Sequence, residues 1–416
     1  MSTTSIRATQ GWARMATRAA DLDMNAATLA EPGRLAGGAQ SSTLQGIAAS
    51  QRPRSISVLP KVQAAPGGTV ELLHEPAQRY RPLGVLGTGG MGVVERAEDV
   101  DIGRPVAIKR LLPEASHALG VTRFVSEIRI VGSLDHPHVV PIHDVGVDDN
   151  GRYFFVMKYV EGHTLADIID RLAAGDAAAL QFWTFERRVE LIIAVLQALA
   201  YAHERGIIHR DIKPENIMVG AHGEVRLMDW GIARHVGELE PGEVPSSEGE
   251  VAPGLIGTPA YMSPEQAACG QLDARSDLYS LTVSFHEFLA LNHYLAHRSD
   301  SLYGLIDAVQ NETVEILHPT RGAHALVPPE LRHICEHGLR KDPALRFQSA
   351  TEMINELRDY IDGRSAVRCK FTLTKRMLRE GGRMVDRRPR LAVGLAMTHT
   401  TLAVFGFASM VWMLVT

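Results

Sequence analysis

The residues His209-Arg210-Asp211-Ile212-Lys213-Pro214-Glu215-Asn216 are followed, after a short hairpin, by Asp229-Trp230-Gly231 and then by Gly257-Thr258-Pro259-Ala260-Tyr261-Met262-Ser263-Pro264-Glu265. Upstream stand Gly87-Thr88-Gly89-Gly90-Met91-Gly92-Val93-Val94 and then Val106-Ala107-Ile108-Lys109. A glycine run of this spacing is a weak signal by itself, and it fits a dinucleotide-binding turn as well as a loop that covers phosphates. The dinucleotide reading requires a helix straight after the glycines. A β-branched pair follows instead, so the glycines are expected in a hairpin between two strands. A backbone without side chains can approach phosphates closely there.

Outward from these motifs, the pattern changes at Tyr80 to short β-rich runs. Arg81–Leu86, Val93–Ala97 and Val106–Leu111 read as strands, and a helix is expected from about Val121 to Leu134. Val139–Val145 and Tyr153–Tyr159 read as two more strands, joined across Asp149-Asn150-Gly151, a strong turn signal. After Gly162 the chain turns helical. In Phe185–Arg205 the apolar residues Val189, Ile192, Leu196, Leu199 and Ala202 recur at helical spacing. Asp277–Leu291, Pro329–Leu339 and Ser349–Asp362 read as later helices. A β-rich segment before a larger helical one predicts an α+β architecture over residues 77–362.

The order and spacing of the motifs resemble the protein kinase superfamily, and most nearly the eukaryote-like Ser/Thr kinases of bacteria, over roughly residues 80–360. The resemblance implies a two-lobed fold with ATP between the lobes, Mg²⁺ as the metal, and protein Ser/Thr hydroxyls as acceptors. It places Lys109 on the α- and β-phosphates and Glu127 as its ion-pair partner. Asp211 becomes the base that takes the hydroxyl proton, with Lys213 at the γ-phosphate and Thr258 beside both. Asn216 and Asp229 become the metal ligands, oxygen donors that suit a hard cation. The glycine loop, residues Gly87, Thr88, Gly89, Gly90, Met91 and Gly92, would cover the nucleotide. Val94 and Ala107 would cover the adenine from above and Met218 from below. Met157 stands at the back of that slot, and the backbone of Lys158 and Val160 would bond the ring. Glu265 is expected to pair with Arg346, and Asp277 to hold the backbone of the catalytic loop.

The rival to an active kinase is a pseudokinase that binds nucleotide as a scaffold. Its signature would be loss of Lys109, Asp211 or a metal ligand, and none is lost. Two departures stand out. Trp230 replaces the usual phenylalanine beside the metal-binding aspartate, and its indole N–H needs a partner. The segment between Gly231 and Gly257 has no threonine and carries Glu238, Glu240, Glu243, Glu248 and Glu250, with Ser246 and Ser247 as its only hydroxyls. A serine switch, a glutamate substituting for phosphate, and a solvated acidic loop all fit this composition.

The remaining composition excludes other classes. The net charge of −5 gives no sign of a nucleic-acid surface. Three dispersed cysteines, Cys269, Cys335 and Cys369, suit a reducing compartment. His333, Cys335 and His337 do not share one helix face, so no zinc site is expected. Residues 1–76 are rich in small and polar residues, with Trp12 their only aromatic, and are expected to be disordered. Arg7, Arg14 and Arg18 without an acid give the first twenty residues a trace of a transit peptide; a regulatory arm is the reading adopted. Residues 363–390 hold ten Lys or Arg against Glu380 and Asp386, and Leu391–Thr416 then runs 26 residues without an acid, lysine or arginine. About 20 apolar residues span a bilayer, so a C-terminal transmembrane helix is expected, with the basic run and the kinase domain on the cytoplasmic side of the cell membrane. A homodimer for phosphorylation in trans is a further expected partner. With no sensor after the span, input is expected through the arm, the membrane or a partner.

Overall fold

The structure, a computed structural model, describes residues 61–64, 70–73, 78–89, 92–236, 257–296, 301–312 and 327–364. Five strands form one antiparallel sheet: β3 (Tyr80–Thr88), β4 (Gly92–Asp99), β5 (Arg104–Leu111), β6 (Ile142–Val147) and β7 (Tyr153–Lys158). Their order is β3-β4-β5-β7-β6. Before them a two-stranded pair, β1 (Lys61–Ala64) with β2 (Val70–Leu73), lies within the arm expected to be disordered. The polar average of that arm hid two short segments with alternating or clustered apolar residues, Lys61–Ala64 and Val70–Leu73, separated in sequence by Pro66-Gly67-Gly68, a turn-forming composition.

The sheet has two unlike faces because side chains alternate along each strand. Tyr80, Ala97, Val106, Ile108, Phe154 and Val156 form one apolar cluster. Leu111, Ala115, Phe124 and Phe155 form another, in which Phe124 of helix α1 (Ala118–Ser133) meets Phe155 at 5.4 Å between rings. Lys109 stands opposite both Val94 and Phe155, and Ala107 opposite Met157. Directly paired residues share a face, so Val94, Ala107, Lys109 and Met157 look the same way.

The strand expected over Val139–Val145 begins three residues later, at Ile142. Pro141 has no N–H for a ladder. Val139 instead makes an isolated parallel bridge to Leu227, and the Leu227 N–H donates to the His138 carbonyl at 2.8 Å. The turn that follows is as the sequence implied: Asp148 Oδ1 accepts from the N–H groups of Asn150 and Arg152, both at 2.9 Å, and Gly151 supplies φ of 79°.

Beyond the sheet come β8 (Gly162–Thr164), α2 (Leu165–Ala173), α3 (Ala177–Phe182) and α4 (Phe185–His203). The Thr164 side chain and Asp167 cap α2 reciprocally, a local signal that marks its start. Two-residue β9 (Ile207–Ile208) pairs with β12 (Arg234–His235), and β10 (Ile217–Gly220) lies between β11 (Val225–Leu227) and β8. Short α5 (Pro264–Ala267), long α6 (Ala274–Ala290) and α7 (Leu302–Asn311) follow. Val189, Ile192, Leu196, Leu199 and Ala202 on α4 are all completely buried, as their spacing predicts. This β-rich lobe and helical lobe give the two-lobed α+β fold.

Helices α8 (Pro329–Gly338) and α9 (Ala350–Asp362) close the described chain. Contacts divide the molecule into a unit that runs to Val327 and includes Cys335–Ile354, and a second made of Pro328–Ile334 and the chain from Asn355. Gly90, Met91, Ser246, Ser247 and the transmembrane helix expected at 391–416 lie outside the described residues, as do most of the arm and nearly all of the basic linker. Among the described residues no helix is long and apolar enough to cross a membrane.

Candidate active site

The glycine run lies between the antiparallel strands β3 and β4 and does not lead into a helix. The Gly89 N–H donates to the Gly92 carbonyl at 2.9 Å. A Cβ at Gly92 would come within 2.8 Å of the Arg110 carbonyl oxygen, so only glycine fits without a shift. Below this loop, Lys109 Nζ reaches Glu127 Oε1 at 2.7 Å and Asp229 Oδ1 at 3.0 Å. One ammonium therefore joins β5, α1 and the loop before β12.

The electrostatics follow from that sharing. Burial works against the charge of Lys109, but Asp229 and Glu127 outweigh it and hold the ammonium protonated. Lys109 pulls the Asp229 carboxyl down to about 2. Burial raises Glu127 more than Lys109 lowers it, and its Oε2 has no hydrogen-bond partner among the described residues. The Asp229 side chain is 50% exposed, and Lys109 bonds its Oδ1.

The second centre gathers on the loop of residues 209–216. Lys213 Nζ lies 2.9 Å from Asp211 Oδ2 and donates to Thr258 Oγ1 at 2.6 Å. Thr258 in turn donates to Asp211 Oδ1 from its hydroxyl at 2.9 Å and its N–H at 3.0 Å. Burial opposes the charge on Lys213, but Asp211 keeps its affinity for a proton above the ordinary lysine value. Asn216 gives its amide N–H₂ to the Asp211 carbonyl at 2.8 Å and to Oδ2 at 3.2 Å. Its own carbonyl oxygen is then the end left to ligate.

Two residues of these motifs hold left-handed backbone: Arg210 at φ of 72° and Asp229 at 57°. An arginine there costs about 1–2 kcal/mol and must be over-determined by its surroundings. Asp277, buried at 1% exposure, supplies part of that: its carboxylate accepts the N–H groups of His209 at 2.8 Å and Arg210 at 2.9 Å. Its pairing with the loop backbone is as expected. Two partners escaped the sequence reading. His203 Nε2 meets Asp277 Oδ2 at 2.8 Å, and Gln266 Nε2 donates to the Arg210 carbonyl at 2.9 Å. His203 sits seven residues after Leu196 on the apolar stripe of α4, and a polar residue on such a stripe is a usable signal. Gln266 offers none, because its contact is tertiary.

The adenine-slot residues stand as follows. Val94, Ala107 and Met157 share the sheet face that carries Lys109. Met218 sits on β10, opposite Thr164 and Arg226. The N–H of Lys158 already donates to the Pro141 carbonyl at 3.1 Å, so only its carbonyl remains for a ligand. Val160 is buried. Trp230 is 1% exposed, packs on His209 with ring centroids 4.5 Å apart, and its Nε1–H finds no acceptor among the described residues. Lower in the fold, Arg346 grips Glu265 with two nitrogens at 2.8 Å each, the expected pair.

Comparison with known proteins agrees with this geometry. Residues 80–357 match the protein kinase domain family. The chain is 38% identical over 298 residues to a probable serine/threonine-protein kinase of Streptomyces coelicolor, covering 70% of this chain and 42% of that one. It is 36% identical over 285 residues to the serine/threonine-protein kinase PknB of Mycolicibacterium smegmatis, covering 68% and 43%. A kinase of Myxococcus xanthus, pkn3, is 36% identical over 289 residues, covering 68% and 50%. The chain thus spans half or less of the length of these relatives. With the motifs, the fold and these likenesses in agreement, the chain belongs to the protein kinase superfamily, beside the eukaryote-like Ser/Thr kinases of bacteria.

Proposed function

We propose that this protein is an active Ser/Thr kinase that transfers the γ-phosphoryl group of ATP to protein hydroxyls, anchored to the cell membrane by residues 391–416. The observation that carries the transfer reading is the closed set Asp211–Lys213–Thr258, next to a lysine held charged between Glu127 and Asp229. Phosphoryl transfer is mostly positioning and charge stabilisation, so these residues cover what the chemistry needs. Asp211 would orient the acceptor hydroxyl and take its proton. Lys213 would neutralise charge on the moving group, and Lys109 would hold the phosphates behind it. Thr258, which now fills the hydrogen-bonding positions of both Asp211 and Lys213, marks where the acceptor hydroxyl would compete.

The half-exposed, ionised Asp229 and the amide carbonyl of Asn216, whose N–H₂ end is held by Asp211, fit a hard divalent cation, Mg²⁺ in this reading. Bound there, the ion would neutralise the phosphate oxygens. The membrane reading rests on the apolar length of 391–416 and the basic run before it. It puts the kinase domain on the cytoplasmic side and lets two copies on one membrane phosphorylate each other.

The test uses the full chain with Mg²⁺ and labelled ATP, beside Asp211→Asn and Asp229→Asn. Transfer to Ser or Thr that is lost in both variants is the expected result. A folded chain that binds ATP but labels neither itself nor a general protein substrate, with or without lipid, would leave only a nucleotide-binding scaffold. For the anchor, flotation with liposomes should require residues 391–416; equal flotation without them removes that part.

A further inference from the structure

The loop that carries Thr258 is gripped from below by the end of α6, and one of the gripping residues has no place in the roles assigned so far. Helix α6 ends at Leu291, which takes left-handed backbone at φ of 56° and ψ of 28°. Glycine is usual in that position, and a leucine there is strained. The turn carries the chain to His293, whose side chain is buried at 3% exposure beneath the turn Pro259–Ala260–Tyr261. The Leu295 N–H donates to His293 Nδ1 at 3.1 Å, which fixes the proton on Nε2. That Nε2–H meets the carbonyl of Ala260 at 3.1 Å. Ala260 is itself 1% exposed, so its carbonyl has no water to fall back on. One residue further, the Tyr261 hydroxyl donates to Glu287 Oε2 on α6 at 2.7 Å, and its ring stands edge-on to His293 at 5.1 Å.

We propose that His293 is a positioning residue for the protein substrate: its hold on the Ala260 carbonyl sets the loop that lines the acceptor site, two residues beyond Thr258. The inference rests on the kinase reading and deepens it. Thr258 is bonded to both Asp211 and Lys213, so the backbone just after it is the wall that the chain flanking an acceptor hydroxyl must meet. The nucleotide contacts lie elsewhere, on the sheet and the Lys109 centre. A loosened wall should therefore weaken capture of the protein substrate and spare that of ATP. Burial pushes the His293 ring down to about 3, so the residue acts as a neutral donor at any working pH.

The experiment compares the full chain with His293→Phe, which keeps a flat ring without a donor, and His293→Gln, which restores an N–H near the position of Nε2. His293→Asn, too short to reach, gives a second variant without the bond. Myelin basic protein is the probe, with Mg²⁺ and ATP varied separately. Leaving one buried carbonyl unpaired corresponds to about a tenfold change in an equilibrium constant. We expect KM for the protein probe to rise about tenfold in Phe and Asn, KM for ATP to stay within twofold, and Gln to recover to within about threefold. If Phe and Gln behave alike, or if both KM values rise together, His293 is only packing and the inference falls. No transfer by the parent chain overturns the kinase reading itself, and this inference with it.

Discussion

Loss of Glu265 should destabilise the helical lobe by an amount that the geometry around Arg346 dictates. The Arg346 side chain is 0% exposed. Besides its two bonds to Glu265, it donates to the carbonyls of Arg340 at 2.6 Å, Lys341 at 2.8 Å and Arg275 at 3.3 Å. Breaking a buried pair from one side costs about 3–5 kcal/mol, because a charge is left without compensation. Glu265→Ala leaves the guanidinium three carbonyls, so about 3 kcal/mol is expected. Glu265→Gln keeps an acceptor for one nitrogen and for Ser276, which donates at 2.7 Å, and should cost about 2 kcal/mol. Arg346→Met also strips donors from three carbonyls and should reach about 5 kcal/mol. At roughly 2–4 °C per kcal/mol for a domain of this size, Glu265→Ala should melt about 6–12 °C below the parent.

Acid supplies a second check on the same pair. Burial opposes the Glu265 charge, but the Arg346 bonds outweigh it and hold the carboxyl below its ordinary value of 4.5. A lowered acid contributes stability above its unfolded value and loses it only as pH falls through the folded one. The gap between parent and Glu265→Gln in urea unfolding should therefore stay flat from pH 8 to 5.5 and shrink only below about 4.5. A gap that narrows already at pH 6, or an Arg346→Met variant no worse than Glu265→Gln, would refute the reasoning.

Glu287 should show the opposite slope. Burial pushes its carboxyl up to about 8 from 4.5, so the folded state holds a proton and its contribution is lost as pH rises between those values. Denaturant titration should find Glu287→Gln gaining on the parent at pH 8 relative to pH 5; a constant difference counts against a buried neutral acid. For Trp230→Phe, removal of an unpaired buried N–H and loss of ring volume oppose each other, so stability should change by less than about 1 kcal/mol, with transfer activity retained. A large loss by calorimetry would mean the indole is bonded. Arg188, pushed down to about 10 by burial, donates to the carbonyls of Trp183 at 3.1 Å and Phe288 at 2.7 Å. Arg188→Lys cannot span both carbonyls and should cost about 1–3 kcal/mol, read as a lower melting midpoint; an unchanged midpoint means the fork is dispensable.

What the sequence disclosed and what it hid divide along a physical line. The grouping of the motif residues could be read because each carries a distinctive side chain, and the structure brings Lys109 to Asp229 and Asn216 to Asp211. The core stripe of α4 could be read because burial imposes a period of 3.6 residues. The strand boundary at Ile142 was missed because Pro141 and the bridge of Val139 to Leu227 are decided by a partner far along the chain. The β1–β2 pair was missed because an average over 76 residues buries two four-residue signals. Residues that act through other residues are the hardest to read. His203, Gln266 and His293 hold Asp277, the Arg210 carbonyl and the Ala260 carbonyl in turn. None of them touches the reacting atoms, and only His203, a polar residue on the apolar stripe of α4, leaves a trace in the sequence. Their effect is felt only through Asp211, Arg210 and Thr258, whose left-handed or tightly bonded backbone would otherwise relax. A kinase site on this reading is a small set of legible residues made competent by a larger set that only the fold reveals.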